Sequence, residues 1–145
     1  MSQKNVQVVR ELWDAYSRGD IDRVVALSDP YVVLVSLEEG PLYGPDAVRA
    51  NYARWMEAWR EEPETTVEEV IGAGDHVVVI ACFQGRGRGS GVRVAERLYE
   101  VYTLRNGRVC ALTSSATATK RSKPPGCGSR RSRSRVSTGG RAKRR

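Results

Sequence analysis

TTVEEVIGAGDHVVVIACFQGRGRGSGVRVAERLYEVYTL, residues 65–104, decides the fold. Its β-branched runs at 65–74, 76–85 and 92–104 each have strand length, and Gly74-Asp75 and the glycine-rich Arg86 to Gly91 punctuate them. Asn106-Gly107 then opens a further hairpin into a last strand starting near Arg108. Strands in hairpin succession make an antiparallel meander, and one face of that sheet must be buried by other elements.

The elements that bury it lie upstream. NVQVVRELWDAYS (5–17) spaces Val6, Val9, Leu12, Trp13 and Tyr16 by three and four, which predicts an amphipathic helix. Arg18-Gly19 ends it, and Asp20 is placed to N-cap a shorter helix over IDRVVALS. Asp29-Pro30 stops that helix, YVVLVSL (31–37) reads as a strand, and GPLYGP has room for a very short one. Pro45 at a first helical turn, followed by DAVRANYARWMEAWREE, predicts the longest helix, with Val48, Tyr52, Trp55, Met56 and Trp59 as its apolar stripe. The order α, α, β, α and then a meander predicts an α+β fold, a curved antiparallel sheet packed on three N-terminal helices. A sheet wrapped around helices in this way leaves a cone whose open end makes a pocket.

Charge divides the chain differently. Its 145 residues carry 24 Lys plus Arg against 17 Asp plus Glu, a formal +7. Residues 1–108 hold every acidic residue and 13 basic ones, net −4, whereas residues 109–145 hold 11 basic residues and no acid, net +11. A mildly acidic body is joined to a strongly basic tail. The 40% hydrophobic content excludes a wholly disordered chain. No apolar run reaches the roughly 18 residues of a membrane span, and MSQKNVQVVREL lacks a signal peptide's apolar segment, so no membrane partner and a cytoplasmic setting are expected.

Glu100 is the most informative candidate. Strand alternation puts Leu98, Glu100, Tyr102 and Leu104 on one face. A carboxyl group among three large apolar neighbours is expected to face the cone, where burial raises its pKa and suits it to act as general acid, base or neutral donor. The alternative is a glutamate paired with an arginine or a buried tyrosine hydroxyl. Trp13, Tyr16, Trp55 and Trp59, with Leu98 and Tyr102, are candidates to line the pocket, against the alternative of simple core. Ser36, with Glu38 and Glu39, follows the first strand near the expected cone mouth, in what otherwise reads as a solvated loop.

Other features carry less. His76 is the only histidine, at a turn, and a lone histidine does not assemble a multi-histidine metal site. Cys82, Cys110 and Cys127 have no CxxC spacing, so neither zinc nor a disulfide scaffold is expected. The glycines at 85, 87, 89 and 91 lead from strand to strand, whereas a dinucleotide loop leads into a helix. No metal and no cofactor are implied.

AYSRGDIDRVVALSDPYV (15–32), GPLYGPDAVRANYARW (40–55), IGAGDHVVVI (71–80), GRGRGSG (85–91) and RLYEVYTLRNGRV (97–109), in this order, resemble the SnoaL-like and ketosteroid isomerase-like branch of the nuclear transport factor 2 superfamily. The resemblance implies a cone-shaped α+β barrel, often homodimeric through the sheet's outer face, that holds small apolar molecules. That fold hosts isomerases, cyclases, hydrolases, dehydratases and binding modules, so it leaves function open. The related steroid isomerases use a carboxylate base with a tyrosine and a protonated acid as oxyanion donors. By local alignment the base falls near Val35 and the helix tyrosine at Leu12, neither of which transfers a proton, while the donor acid falls at Glu100. Steroid isomerisation by that machinery is not expected.

The sequence thus supports a SnoaL-like domain over residues 1–119 that binds a small apolar molecule, with proton transfer centred on Glu100, or a non-catalytic binding or dimerisation module. Val109 to about Thr119 can pair as the closing strand at an open sheet edge, and residues 120–145 are expected to be a basic disordered tail. SRRSRSR and GGRAKRR read as a nucleic-acid arm, or the tail is the product of a shifted reading frame. GC-rich back-translation from Val109, read from the third base, gives VRLDVFRDRDEALEAAGL, a strand followed by an amphipathic helix, as SnoaL-like chains usually finish. The coding DNA decides between these readings.

Overall fold

The computed structural model describes residues 2–36 and 40–117; Glu38, Glu39 and the expected tail at 120–145 lie outside them. The described elements are α1 (Ser2–Ser17), α2 (Ile21–Ala26), β1 (Ser28–Ser36), β2 (Gly40–Tyr43), α3 (Gly44–Glu57), β3 (Glu64–Ala73), β4 (His76–Arg86), β5 (Arg93–Arg105) and β6 (Arg108–Thr117). The six strands form one unclosed sheet in the order β2-β1-β6-β5-β4-β3. This is the expected α+β class.

Local chemistry explains most boundaries. Asp20 Oδ1 accepts the backbone N–H of Arg23 at 3.2 Å, so the N-cap of α2 is as the sequence implies. Asn106 and Gly107 have φ of 55° and 75°, the left-handed pair that a two-residue hairpin requires, and they turn β5 into β6.

Two boundaries and the place of one strand differ from the sequence expectation. β1 begins at Ser28, before the expected Tyr31, because the backbone N–H of Val109 donates to Leu27 O at 3.0 Å and Ser28 is already in register with Val109. α3 stops at Glu57 instead of running on to the glutamates that follow, so Trp59 is not part of its stripe. The Arg60 N–H donates to Arg86 O at 2.8 Å and the Arg88 N–H to Ala58 O at 2.9 Å, so the end of β4 satisfies the backbone that a longer helix would have used. β6, expected at an open edge, lies between β5 and β1 and pairs parallel with β1, matching Val33 to Ala111, Leu34 to Leu112 and Val35 to Thr113.

The chain packs as two compact units. The first comprises Met1–Trp55, Ile71–Val78 and Glu100–Ser115. Its buried residues include Val9, Leu12 and Ala15 of α1, Val24, Val32 and Leu34, Val48 of α3, and Tyr102, Leu104 and Val109. Burying each large apolar side chain contributes about 1.5–3 kcal/mol. The second unit is built on Met56–Val70 and Val79–Tyr99. Trp59 packs edge-on to Phe83, ring centroids 5.4 Å apart, over Gly85, where an added Cβ would lie 2.7 Å from Trp59 Cε3. Arg97 there grips Glu68 in a two-pronged ion pair at 3.1 and 3.2 Å.

No helix among the described residues is long and apolar enough to cross a membrane. No group of His, Cys, Asp and Glu among them could hold a metal ion. Cys110 is free.

Candidate functional site

The site lies in the first unit, where α1, β5 and β6 converge. Alternation along β5 directs Glu100, Tyr102 and Leu104 inward and leaves Tyr99 and Val101 exposed, as the sequence predicts. Tyr102 is 2% exposed. Its hydroxyl accepts the indole N–H of Trp13 at 2.8 Å and donates to Glu100 Oε1 at 2.5 Å. From β6, the Ser114 hydroxyl donates to Glu100 Oε2 at 2.9 Å. Trp13, Tyr102, Glu100 and Ser114 therefore form one hydrogen-bonded line with the carboxyl held at both oxygens.

Charge and burial act on this line together. Glu100 is half-buried as a residue, and desolvation of its carboxyl raises its pKa, opposed by the hydrogen bonds from Tyr102 and Ser114. The Tyr102 hydroxyl is pushed well above the usual tyrosine range by burial first and then by the Glu100 charge and hydrogen bond, against the opposing Trp13 bond. Tyr16, one turn beyond Leu12 on α1, is raised by burial, by Glu100 and by Tyr52. Tyr16 and Tyr52 meet edge to face with centroids 4.9 Å apart. Two tyrosines that stay protonated thus stand around a carboxyl group reluctant to ionise, and the same groups can donate to an acceptor or pass a proton.

The structure brings Trp13, Tyr16, Glu100 and Tyr102 together in one unit. Trp55 is half-buried near the end of α3. Trp59, 7% exposed, and half-buried Leu98 belong to the second unit. Ser36 ends β1 opposite Gly40, and its side chain lies outside the described residues. Of the two forms of the alternative reading of Glu100, the buried tyrosine hydroxyl is the one present. Leu12 and Val35, which the local alignment sets at or near the steroid-isomerase tyrosine and base, are 6% and 37% exposed. His76, exposed, meets Thr103 Oγ1 at 3.1 Å.

Sequence reasoning missed Ser114. Only the fold places it: Leu112 pairs with buried Leu34, and alternation from Leu112 carries Ser114 to the same face. The segment's small polar composition hid it, because Thr, Ser and Ala make a weak strand pattern. Tyr16 was expected as a pocket wall, and only the fold shows that it feels the Glu100 charge.

Known proteins share this architecture. A structure described as a nuclear transport factor 2-like protein from Burkholderia xenovorans LB400 superposes with a TM-score of 0.71 at 22% identity, covering 81% of this chain and 92% of its own. A candidate SnoaL-like polyketide cyclase from Jannaschia sp. CCS1 gives 0.74 at 25% identity, covering 80% and 87%. A hypothetical protein of ketosteroid isomerase-like fold from Catenulispora acidiphila DSM 44928, in complex with trimethylamine, gives 0.64 at 19%, covering 74% and 83%. No curated protein matches the chain. The SnoaL-like domain profile matches residues 9–112, from the middle of α1 to the first half of β6, and the chain belongs to the SnoaL-like domain family.

Proposed function

We propose that this domain binds a small, largely apolar molecule bearing a carbonyl or hydroxyl group beside Glu100 and moves a proton to or from it, as an isomerase, cyclase or hydrolase does. The observation that carries the reading is a half-buried carboxyl held at both oxygens by hydroxyl groups, with its pKa raised by burial. When Glu100 is ionised, the Tyr102 hydrogen is directed to it. When Glu100 is protonated and donates to Tyr102 Oη, that hydroxyl accepts from Trp13 and Glu100 together and its own hydrogen turns outward, able to bond an acceptor on the ligand. Aromatic Trp13, Tyr16 and Tyr52 supply an apolar surround.

A panel of small carbonyl compounds tests the reading, with binding followed by thermal shift and turnover by product analysis. Glu100→Gln should keep binding and lose turnover; full turnover in that variant would sink the proposal. A second reading, a binding module without catalysis, is favoured by the closed line itself: with Glu100 ionised, Tyr102 has no hydrogen left for a ligand. Binding without turnover of any panel member would select it.

The reading extends to assembly and setting, a homodimer in the cytoplasm. Tyr31 and Tyr43, 85% and 68% exposed, and Val35 at 37% form an apolar outer face on β1 and β2, and light scattering reads the mass in solution. The +11 of residues 109–145 supports nucleic-acid binding through the tail as a separate reading. That binding would weaken steeply with salt and disappear on truncation after residue 119.

A further inference from the structure

We infer that Ser114 is a positioning residue of this site: its hydroxyl, donated to Glu100 Oε2, fixes the carboxyl plane and so presents Oε1 to the Tyr102 hydroxyl. The inference rests on reading Glu100 as the site's working acid. A glutamate on a strand has three torsions, the last of them broad, and one hydrogen bond to a single oxygen restrains the carboxyl plane less tightly than two. Two donors on different oxygens, Tyr102 at 2.5 Å and Ser114 at 2.9 Å, hold that plane. They come from different strands, β5 and β6, so the plane is set by the pairing of the sheet and not by one local segment. Trp13 then aligns the far side of Tyr102, which completes the line.

Ser114 lies two residues past the end of the SnoaL-like match, in the acid-free stretch expected to pair as the closing strand. It is half-buried, on the inward face that it shares with Leu112. The groups that face the carboxyl are Tyr102 from β5, Tyr16 from α1 with Tyr52 of α3 behind it, and Ser114 from β6. The Ser114 hydrogen bond favours the ionised form of Glu100, so removing it should move the titration upward.

The experiment needs no substrate, because the Trp13 indole N–H reports through Tyr102 on Glu100. The full chain is titrated by following that N–H by NMR in the wild type, Ser114→Thr, Ser114→Val and Glu100→Gln. Thr and Val have the same shape and differ by the hydroxyl. The expected result is a wild-type midpoint kept in Ser114→Thr and raised by about one to two pH units in Ser114→Val, the worth of a hydrogen bond to a charged group. Ser114→Ala, which removes only the hydroxyl, repeats the shift if Val disturbs the strand. A midpoint unchanged or lowered in both hydroxyl-free variants overturns the positioning role and leaves Glu100 as the acid. A step that survives in Glu100→Gln shows that another group titrates, and the reading of Glu100 falls with it.

Discussion

Replacing Tyr102 and Trp13 singly and together measures whether the line of hydrogen bonds is a unit. Tyr102→Phe removes a hydroxyl that donates to a carboxyl at 2.5 Å and accepts an indole N–H at 2.8 Å, on a side chain that is 2% exposed. The bond to the carboxyl is worth about 1.5–3 kcal/mol when that group is charged, and the stranded indole N–H adds about 1 kcal/mol. The expected loss is therefore about 2.5–4 kcal/mol, a large share of an ordinary domain's stability. Trp13→Phe loses one neutral hydrogen bond, about 0.5–1.5 kcal/mol, and some packing. In the double variant the stranded N–H is gone, so its cost should fall below the sum of the singles by about 0.5–1.5 kcal/mol. Urea unfolding followed by far-ultraviolet circular dichroism reads each value, with equal slopes required for comparison. The cost of Tyr102→Phe should also rise with pH, because its bond favours ionised Glu100. Singles that add to within about 0.3 kcal/mol, or a Tyr102→Phe loss below about 1 kcal/mol, would refute the coupling.

Glu100→Gln should remove a pH dependence: the raised folded pKa means that the folded state holds its proton more tightly than the unfolded chain. The stability this gives is full below the unfolded pKa and is lost as pH rises through the folded pKa, by about 1.4 kcal/mol for each pH unit between the two values. Denaturation curves of wild type and Glu100→Gln should diverge across that window, and parallel curves would contradict the burial of the carboxyl. Gly85→Ala places a Cβ 2.7 Å from Trp59 Cε3 and 3.1 Å from Pro63 Cβ, so it should cost about 1–3 kcal/mol. Trp59→Leu in the same chain should return part of that loss, and a melting temperature unmoved by Gly85→Ala would show that Trp59 is not seated there. At the β5–β6 turn, Asn106→Val forces a β-branched residue to φ of 55° and should cost about 1–2 kcal/mol, whereas Asn106→Gly should be close to neutral by the same measurement.

The element order was legible because its signals are local. Helical spacing in α1, the Asp20 cap, the β-branched runs of β3 to β5 and the Asn106-Gly107 turn each act within a few residues, and each stands where the sequence implies. Alternation alone also placed Glu100 and Tyr102 on one inward face. The end of α3 was not legible, since Trp59 continues the helical spacing and only the backbone bonds to Arg86 and Arg88 draw it away. Nor was the place of β6, because a parallel pairing with β1 joins residues some eighty positions apart and leaves no mark in either segment. The neighbouring β5–β6 pair delivers Ser114 to Glu100, and the packing of α1 delivers Trp13 and Tyr16. The sequence by itself determined the order and kind of the elements, and that one carboxyl group would face inward. The tertiary structure alone decided which groups join that carboxyl in one line, because a hydrogen bond is set by distances of about 3 Å, and the Ser114–Glu100 and Trp13–Tyr102 bonds join groups that the chain separates by 14 and 89 residues.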